Sequence, residues 1–154
     1  MDGSDGVIGH LDMDPDIKGL GDYPAAQASK TSKALILLDT NALIWWATNH
    51  RRSGALRKWQ GRTFVSPVSL LEIRFLVECG RARLHPNVSL AEDPRWFVDD
   101  PSTRARFEEA ESVSWTRDPF DRLIVAHARM RNWKLATADA MLIERLGPSR
   151  ALEL

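Results

Sequence analysis

Apolar and polar positions after residue 33 alternate in blocks that predict strands separated by helices. Runs at 34–38, 63–66, 112–115, 135–137 and 151–154 predict strands, and the first is fully apolar, as in a buried parallel strand. Apolar residues at helical spacing predict helices at 41–47, 54–60, 67–79, 101–111, 118–131 and 138–146. Because strands joined through helices need crossover connections, we expect a three-layer α/β/α domain with a mostly parallel sheet of four to five strands.

Capping residues mark several boundaries of these predicted helices. Ser66 followed by Pro67 is a typical helix start, since the serine hydroxyl accepts a hydrogen bond from the first turn. Gly80 and Gly147 are placed to end the helices that precede them. Residues 81–100 contain several prolines, and we expect only short helical turns there.

Residues 1–33 differ in composition from the rest of the chain. Gly, Asp, Pro, Ser and Ala dominate, and no helical or strand period persists. Such a segment buries too little apolar surface to offset the entropy of ordering it. We therefore expect a flexible, acidic and Gly-rich extension before one folded domain of residues 34–154. A wrongly assigned start of the chain is the alternative.

Charge is distributed unevenly, although the chain as a whole has a net charge of zero. Residues 1–33 hold six Asp and three Lys, whereas residues 34–154 hold 18 basic and 15 acidic residues. The folded part is therefore mildly basic, which is compatible with a polyanionic substrate without requiring one. No apolar run approaches the roughly 20 residues of a membrane helix, and the N-terminus lacks a signal-peptide pattern. We expect a cytoplasmic protein that does not contact a membrane.

Cysteine and histidine offer little chemistry in this sequence. The single cysteine, Cys79, excludes an intramolecular disulfide and a cysteine-rich metal site. Near the end of an apolar helix it is expected to be a small buried side chain, with a catalytic thiol as the alternative. The histidines at 10, 50, 85 and 127 are not spaced to share a metal ion. His127 lies close to Asp121 in sequence but on a different side of its helix.

Two carboxylates occupy positions that are unusual for surface acids. Asp39 directly follows the first strand, at the strand end where ligands of open α/β sheets gather, although it is also suited to cap the next helix. Glu72 falls on the apolar side of helix 67–79, beside Val68 and Phe75. A carboxylate there is costly unless it is paired, either with a cation or with an arginine from elsewhere.

Two further carboxylates repeat these positions in the second half of the chain. Asp121 shares a helix face with Ile124 and Val125, although an acid in the first turn is also favoured by the helix dipole. Asp139 follows the strand 135–137, where capping of the next helix is an equally good explanation. Asp118 is the better candidate for the cap of its helix, or for a surface pair with Arg122.

The four acids can converge, because strand C-termini and the helix N-termini that follow them share one edge of a parallel sheet. Like charges do not crowd together unless protons or cations neutralise them. Oxygen ligands without cysteine are typical of a Mg²⁺ or Mn²⁺ site. Such a site suits the hydrolysis of phosphodiester bonds.

Four segments together resemble a known family. They are LLDTNALIWW (37–46), SPVSLLEIRFLVECGRARL (66–84), DPFDRLIVAHA (118–128) and LATAD (135–139). They resemble PIN-domain nucleases, and among these the VapC-type toxins that carry a DPFDR sequence. The similarity covers about residues 34–150. It implies a metal-dependent endoribonuclease, the toxin of a VapBC-type toxin–antitoxin pair, that cuts RNA with one or two Mg²⁺ or Mn²⁺ ions and leaves a 3′-hydroxyl and a 5′-phosphate.

The resemblance also implies roles for individual residues and partners. The four acids of the family, which bind metal and are catalytic, match Asp39, Glu72, Asp121 and Asp139. Candidates for contacts around the metal or with substrate are Thr40, Asn41, Asp118, Arg122 and Thr137. A homodimer and a small VapB-like antitoxin are implied as well, and the antitoxin would place a segment, often with a basic side chain, in the active-site groove. Trp45 and Trp46 would line that groove or belong to the core.

Two features depart from the family, and several other functions compete. The extension at 1–33 is unusual for VapC-type toxins, and residues 85–111 match the family only loosely. A non-catalytic PIN-like module that binds RNA or protein, or a DNA-directed nuclease, is the main alternative. Phosphoacceptor domains also place an aspartate after a strand. A haloacid-dehalogenase-like phosphatase needs a second aspartate where Asn41 stands, and a receiver domain needs a late lysine, whereas Lys134 precedes its strand.

Overall fold

Five parallel strands form the centre of the domain in the computed structural model, which describes residues 34–154. The strands are β1 (Leu35–Leu38), β2 (Arg62–Val65), β3 (Phe97–Val98), β4 (Lys134–Thr137) and β5 (Ala151–Glu153). The helices are α1 (Thr40–Ala47), α2 (Gly54–Arg57), α3 (Pro67–Glu78), α4 (Thr103–Glu111), α5 (Pro119–Arg131) and α6 (Ala140–Leu146), with a 3₁₀ turn at Arg51–Ser53. The predicted extension, residues 1–33, lies outside the described residues.

The order of strands across the sheet is β3-β2-β1-β4-β5, and every neighbouring pair is parallel. The chain thus builds outward from β1 through β2 to β3, and then returns to the other side of β1 for β4 and β5. Right-handed crossovers place α1–α3 on one face of the sheet and α4–α6 on the other. The predicted three-layer α/β/α architecture with a parallel sheet of up to five strands is confirmed.

Each face of the sheet is covered by apolar side chains, as expected for a parallel sheet. On one face, Leu38 packs with Leu43 of α1 and Ile73 of α3 in a single buried cluster. On the other face, the rings of Phe64 and Trp133 stack with their centroids 4.2 Å apart. Burying each such side chain contributes about 1.5–3 kcal/mol, so the two apolar layers supply most of the stability of the domain.

The strand predicted at 112–115 is wrong. Ser112 and Val113 extend the last turn of α4 instead, since their N–H groups donate to the carbonyls of Glu109 and Ala110 at 3.1 Å each. Val113 is completely buried without being part of the sheet, because α4 and α5 pack closely and the segment between them fills the gap. The apolar residue that indicated a strand is a core residue of a helical hairpin.

The third strand of the sheet, β3, lies where only short turns were expected. Its two residues, Phe97 and Val98, pair with Phe64 and Val65 at the edge of the sheet, and both remain exposed. Two exposed residues produce no apolar alternation, so the sequence carried no signal for this strand. The helix predicted at 54–60 is also shorter, since α2 ends at Arg57.

Cys79 was expected to be buried, and this expectation is wrong, because the cysteine is exposed at the end of α3. Phe75, one turn earlier on α3, is exposed as well, so this side of the helix faces away from the core. None of the helices within residues 34–154 combines the length and the apolar character that crossing a bilayer requires.

Gly61 and Gly54 offer a matched test of backbone packing. A Cβ atom at Gly61 would collide with the carbonyl oxygen of Ala34, whereas a Cβ at Gly54 meets nothing within 4 Å. We expect Gly61→Ala to lower the free energy of unfolding by about 2 kcal/mol or more, because the start of β2 must move away from β1. Gly54→Ala should change it by less than about 1 kcal/mol, in the stabilising direction. Urea denaturation of both variants checks this, and equal stabilities would contradict the described approach of the two strands.

Candidate active site

The predicted acids gather where the strand order reverses. Connections leave β1 and β4 toward opposite faces of the sheet, and a crevice opens between the carboxyl ends of two such strands. Asp39 follows β1 and Asp139 follows β4. The N–H of Asp39 donates to the carbonyl of Ala136 at 3.0 Å, which fixes the end of β1 beside the end of β4.

Asp39 is the most buried acid of this group, with 6% of its surface exposed. One carboxylate oxygen, Oδ1, accepts a hydrogen bond from the N–H of Ala42 at 2.6 Å and caps α1. Burial raises the pKa of Asp39 to about 6, because hydrogen bonds from Thr137 and Ala42 do not compensate for lost solvation and the carboxylates of Glu72 and Asp139 add repulsion.

Asp139 is exposed and caps α6, since its Oδ1 accepts hydrogen bonds from the N–H groups of Met141 at 2.8 Å and Leu142 at 3.0 Å. The hydroxyl of Thr137 connects the two aspartates, because it donates to Asp39 and accepts from the N–H of Asp139 at 3.0 Å. The capping explanation is therefore correct for both acids. It does not exclude a second role, because capping uses one carboxylate oxygen of each.

Glu72 reaches the crevice from α3 and is half-buried. The hydroxyl of Thr40 donates a short hydrogen bond to its Oε2. Lost solvation raises the pKa of Glu72, the carboxylate of Asp118 raises it further, and Arg81 opposes the shift. Within residues 34–154 Glu72 forms no salt bridge, so the predicted alternative of a buried ion pair is not realised in the described part of the chain.

The N-terminus of α5 contributes Asp118 and Asp121. Asp118 caps the helix, with its Oδ1 accepting from the N–H groups of Phe120 at 2.8 Å and Asp121 at 3.3 Å. Asp121 is half-buried, and its pKa is raised to about 7, first by lost solvation and then by the carboxylates of Asp118, Glu72, Asp139 and Asp39 in that order. Because Asp121 interacts with all four other acids, the carboxylates form one electrostatic cluster.

Not every candidate residue belongs to this cluster. Thr40, Thr137 and Asp118 do, through the contacts above. Asn41 is exposed, and Arg122 donates its Nε to the carbonyl of Thr116 at 2.8 Å. No hydrogen bond in the described part of the chain joins either residue to the acids, and the predicted surface pair of Asp118 with Arg122 is not formed there.

The structure also places His127, the two tryptophans and Arg81. His127 is completely buried and pairs with Asp99 at 2.8 Å, away from the acids. Trp46 packs against Trp96 in the core, whereas Trp45 is partly exposed. Arg81, a residue that sequence reasoning missed, is the cation that acts on Glu72. Its position after the end of α3 gave no periodic signal.

The donor set fits a hard divalent cation. Every candidate ligand is a carboxylate, and Mg²⁺ prefers oxygen ligands. Among residues 34–154, no three His, Cys, Asp or Glu side chains are grouped closely enough to ligate one ion together. A Mg²⁺ site does not require such a group, because Mg²⁺ usually keeps several waters and takes only one or two protein carboxylates. The pKa values of Asp39, Glu72 and Asp121 are raised first by lost solvation and then by neighbouring carboxylates, and a bound cation would oppose both effects.

Comparison with known proteins identifies the family of this fold. The family model of the PIN domain matches residues 36–147. The protein Ribonuclease VapC22 of Mycobacterium tuberculosis is 31% identical over 116 residues, which cover 70% of this chain and 88% of the relative.

Two solved structures share the fold at low sequence identity. A toxin–antitoxin complex from Klebsiella pneumoniae matches with a TM-score of 0.57 and 17% identity, covering 77% of this chain and 99% of that chain. The VapBC2 structure from Rickettsia felis, bound to a DNA fragment from its promoter, matches with a TM-score of 0.56 and 19% identity, covering 78% and 98%. At these identities the two structures show that the fold is PIN-like.

Burial and repulsion in the acid cluster together predict how stability depends on pH without metal. Folded-state pKa values of about 6 for Asp39 and about 7 for Asp121 exceed the unfolded value near 4, so the folded protein binds these protons more tightly. The contribution of both groups is therefore full below pH 4 and is lost as the pH rises through 6 to 7. Asp121→Asn should make the protein more stable than the parent at pH 8 in EDTA, by on the order of 1–2 kcal/mol after screening is allowed for.

Urea denaturation at pH 5 and pH 8 checks this. The gain from Asp121→Asn should shrink at pH 5, where the parent carboxyl is protonated. The control is Glu144→Gln, which removes an exposed carboxylate of α6 and should show no such pH dependence. A variant no more stable than its parent at pH 8 would show that Asp121 carries no net repulsion.

Proposed function

This chain belongs to the PIN domain family, and we propose that it is a Mg²⁺- or Mn²⁺-dependent endoribonuclease, the toxin of a VapBC-type toxin–antitoxin pair. The observation that carries the proposal is the set of carboxylates at the β1–β4 crevice. Lost solvation, followed by repulsion from four neighbouring carboxylates, raises the pKa of Asp121 to about 7. An arrangement that costs stability without a cation is expected where a cation has a function.

Asp39, Glu72, Asp121 and Asp139 are the residues that would hold the cation, one or two of them directly and the others through its water molecules. When bound, a divalent cation supplies Lewis-acid stabilisation of the charge that develops on the phosphate during hydrolysis. The chain itself orients the ligands. Thr40 fixes one oxygen of Glu72, and Thr137 holds the carboxyl of Asp39 against the backbone of Asp139.

The ribonuclease activity and the antitoxin partner rest on similarity together with this geometry. The relative from Mycobacterium tuberculosis is named a ribonuclease, and two proteins of the same fold are toxin–antitoxin complexes. An antitoxin segment that places a basic side chain among the acids would relieve the same repulsion as a metal ion. It would therefore compete with the cation, which gives a physical route to inhibition.

A homodimer is the second part of the proposal, and an exposed apolar surface supports it. Leu71 and Phe75 lie one turn apart on α3 with 62% and 49% of their surfaces exposed. The ring of Phe75 contacts that of Phe120 on α5, with centroids 6.3 Å apart. We call these three residues the α3–α5 surface. Because a C2 interface uses the same surface of both subunits, a second copy of this chain is its proposed occupant.

Metal-dependent cleavage of total cellular RNA tests the activity. The full chain, purified free of antitoxin, should yield discrete products with Mg²⁺ or Mn²⁺ and none with EDTA. Asp121→Asn and Asp39→Asn should each lower the cleavage rate by about 100-fold or more, because each removes a charge that the cation site needs. Both variants should stay folded, since asparagine at position 39 can still cap α1. Product ends should be a 3′-hydroxyl and a 5′-phosphate.

Parallel assays separate the alternatives. The exposed-acid variant Glu144→Gln should cleave as the parent does. Cleavage of single-stranded DNA but not RNA would support a DNA-directed nuclease. Tight RNA binding by a well-folded parent without metal-dependent cleavage would support the binding module. Full activity in Asp39→Asn would overturn the site assignment.

The oligomeric state tests the α3–α5 surface. Phe75→Glu should shift the full chain from dimer to monomer in light scattering coupled to gel filtration, since a buried unpaired charge at an apolar interface is strongly unfavourable. Phe107→Glu, which changes a phenylalanine with 56% exposure on α4, is the matched control and should leave the dimer intact. A monomeric parent, or a Phe75→Glu dimer, would contradict this part of the proposal.

A further inference from the structure

A planar, positively charged cluster lies on the surface beyond α1. The imidazole of His50 stacks on the indole of Trp45, with ring centroids 5.6 Å apart and an interplanar angle of 24°. The guanidinium carbon of Arg52 lies 5.1 Å from the centroid of the Trp45 ring. We call Trp45, His50 and Arg52 the Trp45 stack. His50 and Arg52 are exposed and Trp45 is partly exposed, so planar groups of the stack are accessible to solvent.

The backbone around the Trp45 stack is fixed rather than loose. The N–H of His50 donates to the carbonyl of Trp45 at 2.8 Å, and the N–H of Arg52 donates to Nδ1 of His50 at 3.3 Å. The hydroxyl of buried Ser53 donates to the carbonyl of His50 at 2.7 Å. Because these bonds order the turn in advance, a ligand that stacks there loses less conformational entropy on binding.

Charge around the Trp45 stack has one sign. From residue 40 to residue 71 the sequence contains five basic residues and no acidic one. Four of them are exposed on the 3₁₀ turn and at α2, namely Arg51, Arg52, Arg57 and Lys58. Within residues 34–154, none of these four forms an ion pair with a carboxylate. Their charge is therefore available to an anionic ligand.

The stack is close to the acid cluster and is reached along one helix. Asp39 is the N-cap of α1, and Trp45 lies about 9 Å further along the helix axis at the usual rise per residue. Asn41 is exposed one turn before Trp45, on the same face of α1. A single-stranded ligand that passes from the acids along this face would arrive at the Trp45 stack within a few nucleotides.

We propose that the Trp45 stack is a substrate subsite, at which a nucleobase of single-stranded RNA stacks on His50 or Arg52 while neighbouring arginines bind the adjacent phosphates. This assignment rests on the ribonuclease function proposed above. Unpaired bases stack on aromatic rings and on guanidinium planes, and cationic side chains follow the backbone of a single strand. His50 and Arg52 contact the base, and Trp45 is a positioning residue that supports them.

RNA fits this surface better than a protein segment does. The large apolar side chains that are exposed elsewhere on the domain include none between residues 40 and 70. An amphipathic helix of a partner would find no apolar groove here to bury its own apolar face. Planar faces, together with cations that have no carboxylate partner in the described part of the chain, instead match the chemistry of a base and its phosphates.

Binding of RNA by full-length protein tests the subsite. The Asp121→Asn background prevents cleavage, and the probe is a fluorescein-labelled 12-nucleotide single-stranded RNA followed by anisotropy. In this background, Arg52→Ala and His50→Ala should each weaken binding by about tenfold. Arg52→Lys keeps the charge but not the plane, and it should still weaken binding severalfold. Trp45→Ala should weaken binding, and Trp45→Phe should restore most of it.

A matched arginine controls for charge. Arg104→Ala removes an exposed arginine on α4, which pairs with Glu108, and should bind RNA as the background does. Equal RNA affinity of Arg52→Ala and Arg104→Ala would overturn the subsite. Unchanged RNA affinity of Arg52→Lys would overturn it as well, because it would show that Arg52 contacts only phosphate. A 12-residue oligo-glutamate peptide is the second probe. If the His50 and Arg52 variants bind this peptide more weakly but bind RNA normally, the surface belongs to an acidic protein partner and the proposal is overturned.

The same samples separate this inference from the proposed function. If the parent cleaves RNA and the variants bind normally, only the subsite is wrong. If the parent neither binds nor cleaves RNA, the ribonuclease proposal itself fails. Unfolding temperatures of all variants are compared first, since the exposed side chains of His50 and Arg52 should be removable without loss of the fold.

Discussion

Parallel pairing of β4 beside β1 is the constraint on which this site depends. Because of this pairing the strand order reverses at β1. The connections that follow β1 and β4 therefore bring Asp39 and Asp139 into one crevice. The hydrogen bond from Asp39 to Ala136 fixes the register of that pairing. A slip by one residue would move Thr137 to the other face of the sheet and remove the hydroxyl that joins both aspartates.

Helix capping couples the fold to the charge of the site. Asp39, Asp118 and Asp139 each cap a helix with one carboxylate oxygen, and together they bring three helix N-termini to the crevice. The partial positive charge of those N-termini offsets part of the repulsion among the acids. Folding therefore tolerates a concentration of carboxylates that burial alone would oppose. A bound cation would complete the neutralisation that the helix N-termini begin.

The sequence predicts those parts of the fold whose signal is local and misses those that depend on packing between distant segments. Asp39 after an apolar run and Glu72 on an apolar helix face were recognisable, because strand ends and helix faces follow from spacing alone. Val113 resembled a strand residue because a fully buried position is apolar in the sequence whether it lies in a helical hairpin or in a sheet. Phe97 and Val98 became a strand only through pairing with β2, some thirty residues away in the chain.

The acid cluster and the basic residues around the Trp45 stack are close together, so binding at one should affect binding at the other. RNA that binds at the proposed subsite would bring its own negative charge toward carboxylates that already repel one another. A cation at the acids would remove that opposition, so cation binding and RNA binding should strengthen each other by the same factor. A basic antitoxin side chain placed among the acids would supply the neutralising charge without the Lewis acid. Such a complex would keep the electrostatic attraction for RNA and lose the chemistry, so displacement of the cation would be enough to inhibit cleavage without preventing RNA from binding.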